Sequence, residues 1–213
     1  MPFFTNKDIS ELEHLYKINM VNSLSGYKSA NLIGTISKDG IENVAVFSSV
    51  IHLGSSPALL GFILRPTTVP RGTYKNIKET GVYTINHIAN DFIEDAHHTS
   101  AKYDSEISEF DVTELNANYL NSFKAPFVAQ SPIKIAMEYV EEYYIKANDV
   151  IMVVGEIQSV TIEDGLLKDD GFVDLSKGNV AAINGLDGYA IPTLETRQTY
   201  QRPQKINIHK WKF

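Results

Sequence analysis

The chain has 213 residues, no cysteine and a formal net charge of −7. Its length is sufficient for one domain with a sizeable core, and the lack of cysteine excludes disulfide scaffolds, thiolate metal sites and cysteine nucleophiles. The segment 196–213 contains five basic residues and no acidic one, so the rest of the chain is even more acidic. An acidic surface repels phosphate backbones, which argues against nucleic acid binding.

The sequence has an ordinary globular composition, with 43% hydrophobic residues. The N-terminus lacks a hydrophobic signal core, and no stretch approaches the roughly 18 apolar residues that a membrane span requires. No linker, internal repeat or low-complexity tract divides the chain. We therefore expect a cytoplasmic protein without a membrane segment, in which residues 1–213 form a single domain.

The first predicted element is a helix over residues 8–25, preceded by candidate caps at Thr5 and Asn6 and ended by Gly26. Strand patterns then dominate. Segments 31–37 and 41–50 flank the pair Asp39-Gly40, which is a strong signal for a hairpin turn. The N-terminal part therefore predicts one helix followed by a β-hairpin.

The remaining elements continue the strand-rich pattern. Segments 58–65 and 82–87 predict strands, and Thr73 can cap a short helix between them that runs to Glu79 and stops at Gly81. Further elements are a helix over 90–102, two long strands over 133–147 and 150–163 with a turn at Asn148-Asp149, and an extended tail over 188–213. Closely spaced strands with inserted helices predict a mainly β chain that forms one antiparallel barrel with peripheral helices.

The common enzyme motifs are missing from the sequence. It contains no glycine-rich dinucleotide loop after a strand, no Walker-type phosphate loop and no nucleophile elbow. Any activity is therefore expected to depend on a bound cofactor.

The stretch from Asn43 to Thr73 has the features of a mononucleotide site. Residues 43–50, at the end of the strand predicted over 41–50, include small and polar side chains, so that a flat ring can approach the backbone. Two arginines, Arg65 and Arg71, lie near three threonines and the start of the predicted short helix. Guanidinium groups, hydroxyls and a helix N-terminus together form a good site for a dianion such as phosphate.

With the Asp39-Gly40 hairpin, Asn43-Val44-Ala45, Phe47-Ser48-Ser49 and Arg71-Gly72-Thr73, the chain resembles the flavin reductase-like proteins with an FMN-binding split barrel. The resemblance implies a six-stranded antiparallel split β-barrel, a homodimer, and FMN near the subunit interface. It also implies which residues contact FMN. The ribityl chain and ring are expected against Asn43, Val44, Ala45, Phe47, Ser48, Ser49 and Val50, and the phosphate against Arg65, Thr68, Arg71 and Thr73.

The implied activity is that of an NAD(P)H-dependent flavin reductase, in which nicotinamide delivers hydride to flavin N5. The expected ligands are therefore flavin and nicotinamide nucleotides, with NADH or NADPH as co-substrate. Two alternatives remain open at this point. One is an FMN-binding electron carrier without nicotinamide turnover, and the other is a flavin-free barrel that serves as a binding module.

Other patterns have ordinary structural explanations. Ser48 and Ser49 taken alone are typical strand-end hydroxyls, and each arginine taken alone is typical of a surface loop. His97 and His98 are adjacent on a predicted helix, where side chains point about 100° apart, so no metal site is predicted. The resemblance places this region near the open side of the flavin, which makes His98 a candidate substrate contact.

Overall fold

Strands dominate the chain between residues 28 and 190. The structure is a computed structural model that describes residues 1–66, 71–104 and 106–203. In chain order its strands are β1 (Lys28–Ser29), β2 (Asn31–Ile36), β3 (Glu42–Phe47), β4 (Ile51–Ser55), β5 (Ala58–Leu64), β6 (Val82–His87), β7 (Ala117–Asn118), β8 (Phe127–Val128), β9 (Ile133–Ile145), β10 (Val150–Ile162), β11 (Ala182–Asn184) and β12 (Gly188–Ala190).

The α-helices of the described ranges are fewer and shorter. They are α1 (Asn6–Glu11), α2 (His14–Leu24), α3 (Gly72–Thr80) and α4 (Ile93–His98), with 3-10 turns at Asn90–Phe92 and Glu109–Asp111. The helix predicted over 90–102 is therefore shorter than expected. None of these helices is long and apolar enough to cross a membrane.

The prediction of a single helix over residues 8–25 is wrong, because the chain forms two helices there, α1 and α2. The backbone is extended at Leu12, and Glu13 starts a second helix by accepting the Tyr16 N–H at 3.0 Å. The expected cap at Thr5 is confirmed: its hydroxyl accepts the N–H of Asp8, whose carboxylate accepts the N–H of Thr5 in return. Two local caps thus divide one continuous apolar pattern into two helices.

Seven strands form the main sheet, in the order β3-β2-β6-β9-β10-β5-β4, and all neighbours are antiparallel. Two predicted turns are confirmed: Gly40 joins β2 to β3 with a φ of 86°, and Asp149 joins β9 to β10 with a φ of 50°. The expected count of six strands is not confirmed. Sequence reasoning missed β4, because 41–50 was assigned to one strand, whereas β3 ends at Phe47 and a new strand begins at Ile51.

Both faces of β2, the second strand from one edge of the main sheet, are buried. Leu32 packs with Val44, Ile88 and Phe92 in one apolar cluster, whereas the next residue, Ile33, belongs to a second cluster. The first cluster is covered by α4 and β11, and the second includes Phe62, Tyr83, Met137 and Val153. Because successive side chains of a strand point to opposite faces, β2 contributes to both clusters, and β3 is hydrogen-bonded along its edge.

Candidate functional site

The strand β3 meets the start of α3 in a close contact. Asn43 donates from Nδ2 to the hydroxyl of Thr73 at 3.1 Å. A Cβ atom on Gly72 would lie 2.8 Å from the Asn43 side-chain oxygen, so a side chain at this position would push the helix away from the strand. The structure therefore brings together Asn43 and Thr73, two residues that the resemblance assigned to the same ligand.

The N-terminus of α3 has no side-chain cap in the described part of the chain. The predicted cap at Thr73 is wrong, because Thr73 is the second residue of the helix and its buried hydroxyl accepts from Asn43 instead. The residue before the helix is Arg71, in an extended conformation. The first N–H groups of a helix have no partner within it, so an uncapped start can bind an anion.

Arg71 connects this helix start to the end of β5. Its Nε and Nη2 atoms both lie 3.3 Å from the carbonyl oxygen of Pro66, the residue that follows Arg65. Arg65 is exposed at the end of β5, and its side chain makes no hydrogen bond to any residue in the described ranges. Thr68, the fourth predicted phosphate contact, lies outside the described residues.

The segment after β3 is anchored to β5 and β1. The Ser49 hydroxyl accepts the N–H of Ile63 at 3.1 Å and donates to its carbonyl at 3.0 Å, while the Val50 carbonyl accepts the hydroxyl of Ser29 at 3.0 Å. The Phe47 ring packs edge-on against Phe62, with centroids 5.1 Å apart. These contacts hold the backbone of residues 47–50 in place. They also show that the Ser49 hydroxyl has the structural role of a strand-end hydroxyl, bonded to the backbone of a neighbouring strand.

Val44 has its side chain in the core and its N–H bonded to a distant acidic residue. The Val44 side chain is fully buried in the first apolar cluster, and its N–H donates to Oε2 of Glu109 at 3.0 Å. Burial raises the pKa of the Glu109 carboxyl group. The sequence assigns no role to Glu109, and only its contact with β3 identifies it.

His97 and His98 have separate hydrogen-bond partners. Nε2 of His98 lies 2.5 Å from the hydroxyl of Tyr103, and Nδ1 of His97 lies 3.2 Å from the hydroxyl of Tyr189. No group of three or more metal-ligating side chains occurs in the ranges that the structure describes. His98 is therefore placed at the surface beside Tyr103, and its role as a substrate contact stays a prediction.

A cavity of about 460 Å³ opens between β1, the end of β6 and residues 172–176. Its wall includes Ser29, whose hydroxyl reaches the Val50 carbonyl, and His87, the last residue of β6. Nδ1 of His87 is buried and has no hydrogen-bond partner among the described residues, and burial lowers the pKa of this imidazole to about 4. Sequence reasoning missed His87, because a single histidine in a strand carries no motif.

Comparisons with known proteins identify the family and the fold of the chain. Residues 24–176 match the model of the flavin reductase-like domain family. A crystal structure from Shewanella frigidimarina, of a split barrel domain protein described provisionally as a flavin reductase, is 44% identical, with a TM-score of 0.91 over 94% of this chain and 100% of that chain.

Two further solved structures share the fold at lower identity. Flavoredoxin of Desulfovibrio vulgaris is 21% identical, with a TM-score of 0.71 over 82% of this chain and 92% of that one. An FMN-binding protein from Thermus thermophilus, with bound 1-cyclohex-2-enone, is 17% identical, with a TM-score of 0.68 over 81% and 90%. The mainly β chain described above is thus similar to split barrels that include flavin-binding proteins.

Proposed function

Because the chain belongs to the flavin reductase-like family, we propose that it binds FMN where β3 meets α3 and works as an NAD(P)H-dependent oxidoreductase. The observation that carries this proposal is the uncapped start of α3, held against β3 by the Asn43–Thr73 hydrogen bond and flanked by Arg71. A phosphate fits this donor set, since helix N–H groups and a guanidinium both favour a dianion.

The residues assigned to FMN divide into two groups. Arg65, Arg71, Thr73 and Thr68 are proposed to hold the phosphate, although Thr68 is outside the described residues. The ribityl chain and the ring are proposed to lie along β3 and the anchored segment that follows it. The ring contacts there come mainly from backbone N–H and carbonyl groups, since the Val44 side chain is buried and the Ser49 hydroxyl is engaged.

The chemistry comes from the cofactor, which can accept a hydride at N5 from a nicotinamide and pass electrons to an acceptor. The protein's part is to bind and orient. The Ser49 bridge to Ile63 and the Phe47–Phe62 contact keep the ring-binding segment from shifting when a ligand binds. Asn43 positions Thr73, and through it the helix start that receives the phosphate. Such fixed geometry lowers the entropic cost of bringing two rings together.

An FMN-binding electron carrier is the second candidate. It is favoured by the similarity of fold to flavoredoxin and by the lack of an acid–base side chain among the residues assigned to FMN. A flavin-free binding module is the third. We also propose that residues 1–213 form one domain and that the chain acts as a homodimer, as the family resemblance implies.

Steady-state oxidation of NADH and of NADPH, with and without added FMN, tests the proposed activity. We expect the oxidation of at least one nucleotide to depend on FMN and to increase with protein concentration. If FMN binds but neither nucleotide is oxidised, the carrier is the correct function. If no flavin binds, the proposed FMN binding is wrong, and the flavin-free binding module is the remaining candidate function.

A further inference from the structure

Residues 48–50 join β3 to β4 and lie in neither strand. Two serine hydroxyls hold this segment against neighbouring strands. Ser49 bonds to both backbone groups of Ile63 on β5, and Ser29 on β1 donates to the Val50 carbonyl at 3.0 Å. The position of the Val50 backbone therefore depends on the side chain of Ser29.

Ser29 acts from a fixed position on β1. The strand is paired with β11, where Ser29 lies opposite Ala182. The preceding residue, Lys28, fastens the same strand by donating from Nζ to the carbonyl oxygens of Asn22 at 2.9 Å and Gly185 at 3.0 Å. A group carried by a paired strand positions its partner more precisely than a group on a loop.

Asn31 fixes the direction of the Ser29 hydroxyl. A serine hydroxyl has one proton, which can turn toward any nearby acceptor. The Val50 carbonyl can only accept, so the Ser29 proton points to it, and the Asn31 amide must then donate to the Ser29 oxygen. It does so from Nδ2 at 2.9 Å. Asn31, Ser29 and Val50 thus form a chain of hydrogen bonds that ends in the segment proposed for the flavin ring.

Stability of the fold does not explain an asparagine at position 31. Asn31 is fully buried, and its Oδ1 atom has no hydrogen-bond partner among the described residues. The residue opposite it on β6 is His87, whose Nδ1 is also buried and without a partner in the described ranges. Buried polar atoms without partners lower stability, and an apolar side chain of similar size would avoid this cost. Such departures from stable packing are expected at functional sites.

We propose that Ser29 and Asn31 are positioning residues, which hold the Val50 backbone in the orientation that contacts the flavin ring. Neither side chain touches the phosphate site at α3, so their effect is confined to the ring end of the ligand. This inference rests on the proposed function, because it assumes that residues 47–50 receive the ring. It assigns a role to two side chains that the resemblance left without one.

Ser29→Ala tests the proposal through the affinities of FMN and riboflavin, measured by quenching of flavin fluorescence on the full chain. Both affinities should fall by the same factor, about three- to tenfold, because the two ligands share the ring and differ in the phosphate. The visible absorbance band of the bound flavin should shift as well. Ser29→Thr keeps the hydroxyl and should restore both the affinities and the spectrum.

Ser37→Ala is the matched control. The Ser37 hydroxyl is also half-buried and bonds to a backbone group, the N–H of Ile41 at 3.0 Å, but it lies in the turn between β2 and β3. This variant should leave riboflavin affinity and the flavin spectrum unchanged, even where it lowers the urea midpoint of the flavin-free chain. An equal effect of Ser37→Ala and Ser29→Ala on riboflavin would mean that general stability, and not position, controls binding.

Asn31→Leu separates positioning from stability. It removes the unpaired amide oxygen, so the urea midpoint without flavin should be at least as high as that of the wild type, while riboflavin affinity falls about threefold or more. A lower midpoint with unchanged riboflavin affinity overturns the role of Asn31. If the wild type binds riboflavin and Ser29→Ala binds it equally well, the inference is wrong although the proposed function stands. If the wild type binds neither flavin, both are wrong.

Discussion

Arg71 is the residue whose proposed role can be tested most selectively. Its guanidinium lies at the start of α3 and contacts the Pro66 carbonyl at 3.3 Å, a distance typical of a weak bond that leaves other donors free. A hydrogen bond from the guanidinium to the FMN phosphate would contribute about 1.5–3 kcal/mol to binding. Arg71→Ala should therefore weaken FMN binding about tenfold to a hundredfold, as measured by quenching of flavin fluorescence.

Riboflavin provides the internal control for this variant because it lacks the phosphate. It should bind the wild-type chain and Arg71→Ala equally well. Arg202→Ala, which removes an exposed arginine far along the chain, should leave FMN affinity unchanged. If Arg71→Ala weakens riboflavin as much as FMN, then Arg71 does not contact the phosphate.

Single residues were predictable where a local pattern defines them. Thr5 and Gly81 were identified as helix ends from their types and spacing, and Gly81 indeed ends α3 with a φ of 74°. Glu109 and His87 were not identified, because their roles depend on contacts with distant parts of the fold. Glu109 reaches Val44 across 65 positions of sequence, a pairing that no local pattern encodes.

At the level of elements, the contact between β3 and α3 makes a specific prediction. Thr73→Val keeps the shape of the side chain but removes the hydroxyl that accepts from Asn43. The unpaired amide should lower the free energy of unfolding by about 1 kcal/mol, measured by urea denaturation without flavin. Thr73→Ser, which retains the hydroxyl, should lose less. Equal losses in the two variants would show that the hydrogen bond does not stabilise the junction.

Strands were predicted better than helices in this chain. The spans of β6, β9 and β10 match the predicted segments to within two residues. The segment of β6 alternates, and β9 and β10 are long and joined by a turn. The division of 8–25 into α1 and α2 was missed, since the apolar spacing continues through Leu12 while Glu13 starts a new helix by a side-chain bond. Similarly, β4 was merged with β3, because Ser48 and Ser49 fit a strand as well as a bend.

At the scale of the whole molecule, the long strands β9 and β10 leave large apolar side chains exposed: Val140, Tyr143, Tyr144, Ile145 and Val160. Soluble monomers tend to avoid contiguous apolar patches. Trp211 and Phe213, two further large apolar residues in the tail predicted over 188–213, lie outside the described residues. We expect light scattering at micromolar protein to give about twice the chain mass of 23.8 kDa. A single species of about 24 kDa would mean that the chain is monomeric.

FMN binding through a single phosphate site is the function proposed for this mainly β chain. A single helix start flanked by Arg71 suits one phosphate. The most direct measurement is a titration of the purified chain with FMN and with FAD, followed by flavin fluorescence and by absorbance near 450 nm. We predict saturable binding of FMN at one equivalent per chain, with FAD clearly weaker. Tighter binding of FAD, or no binding of either flavin, would contradict the claim.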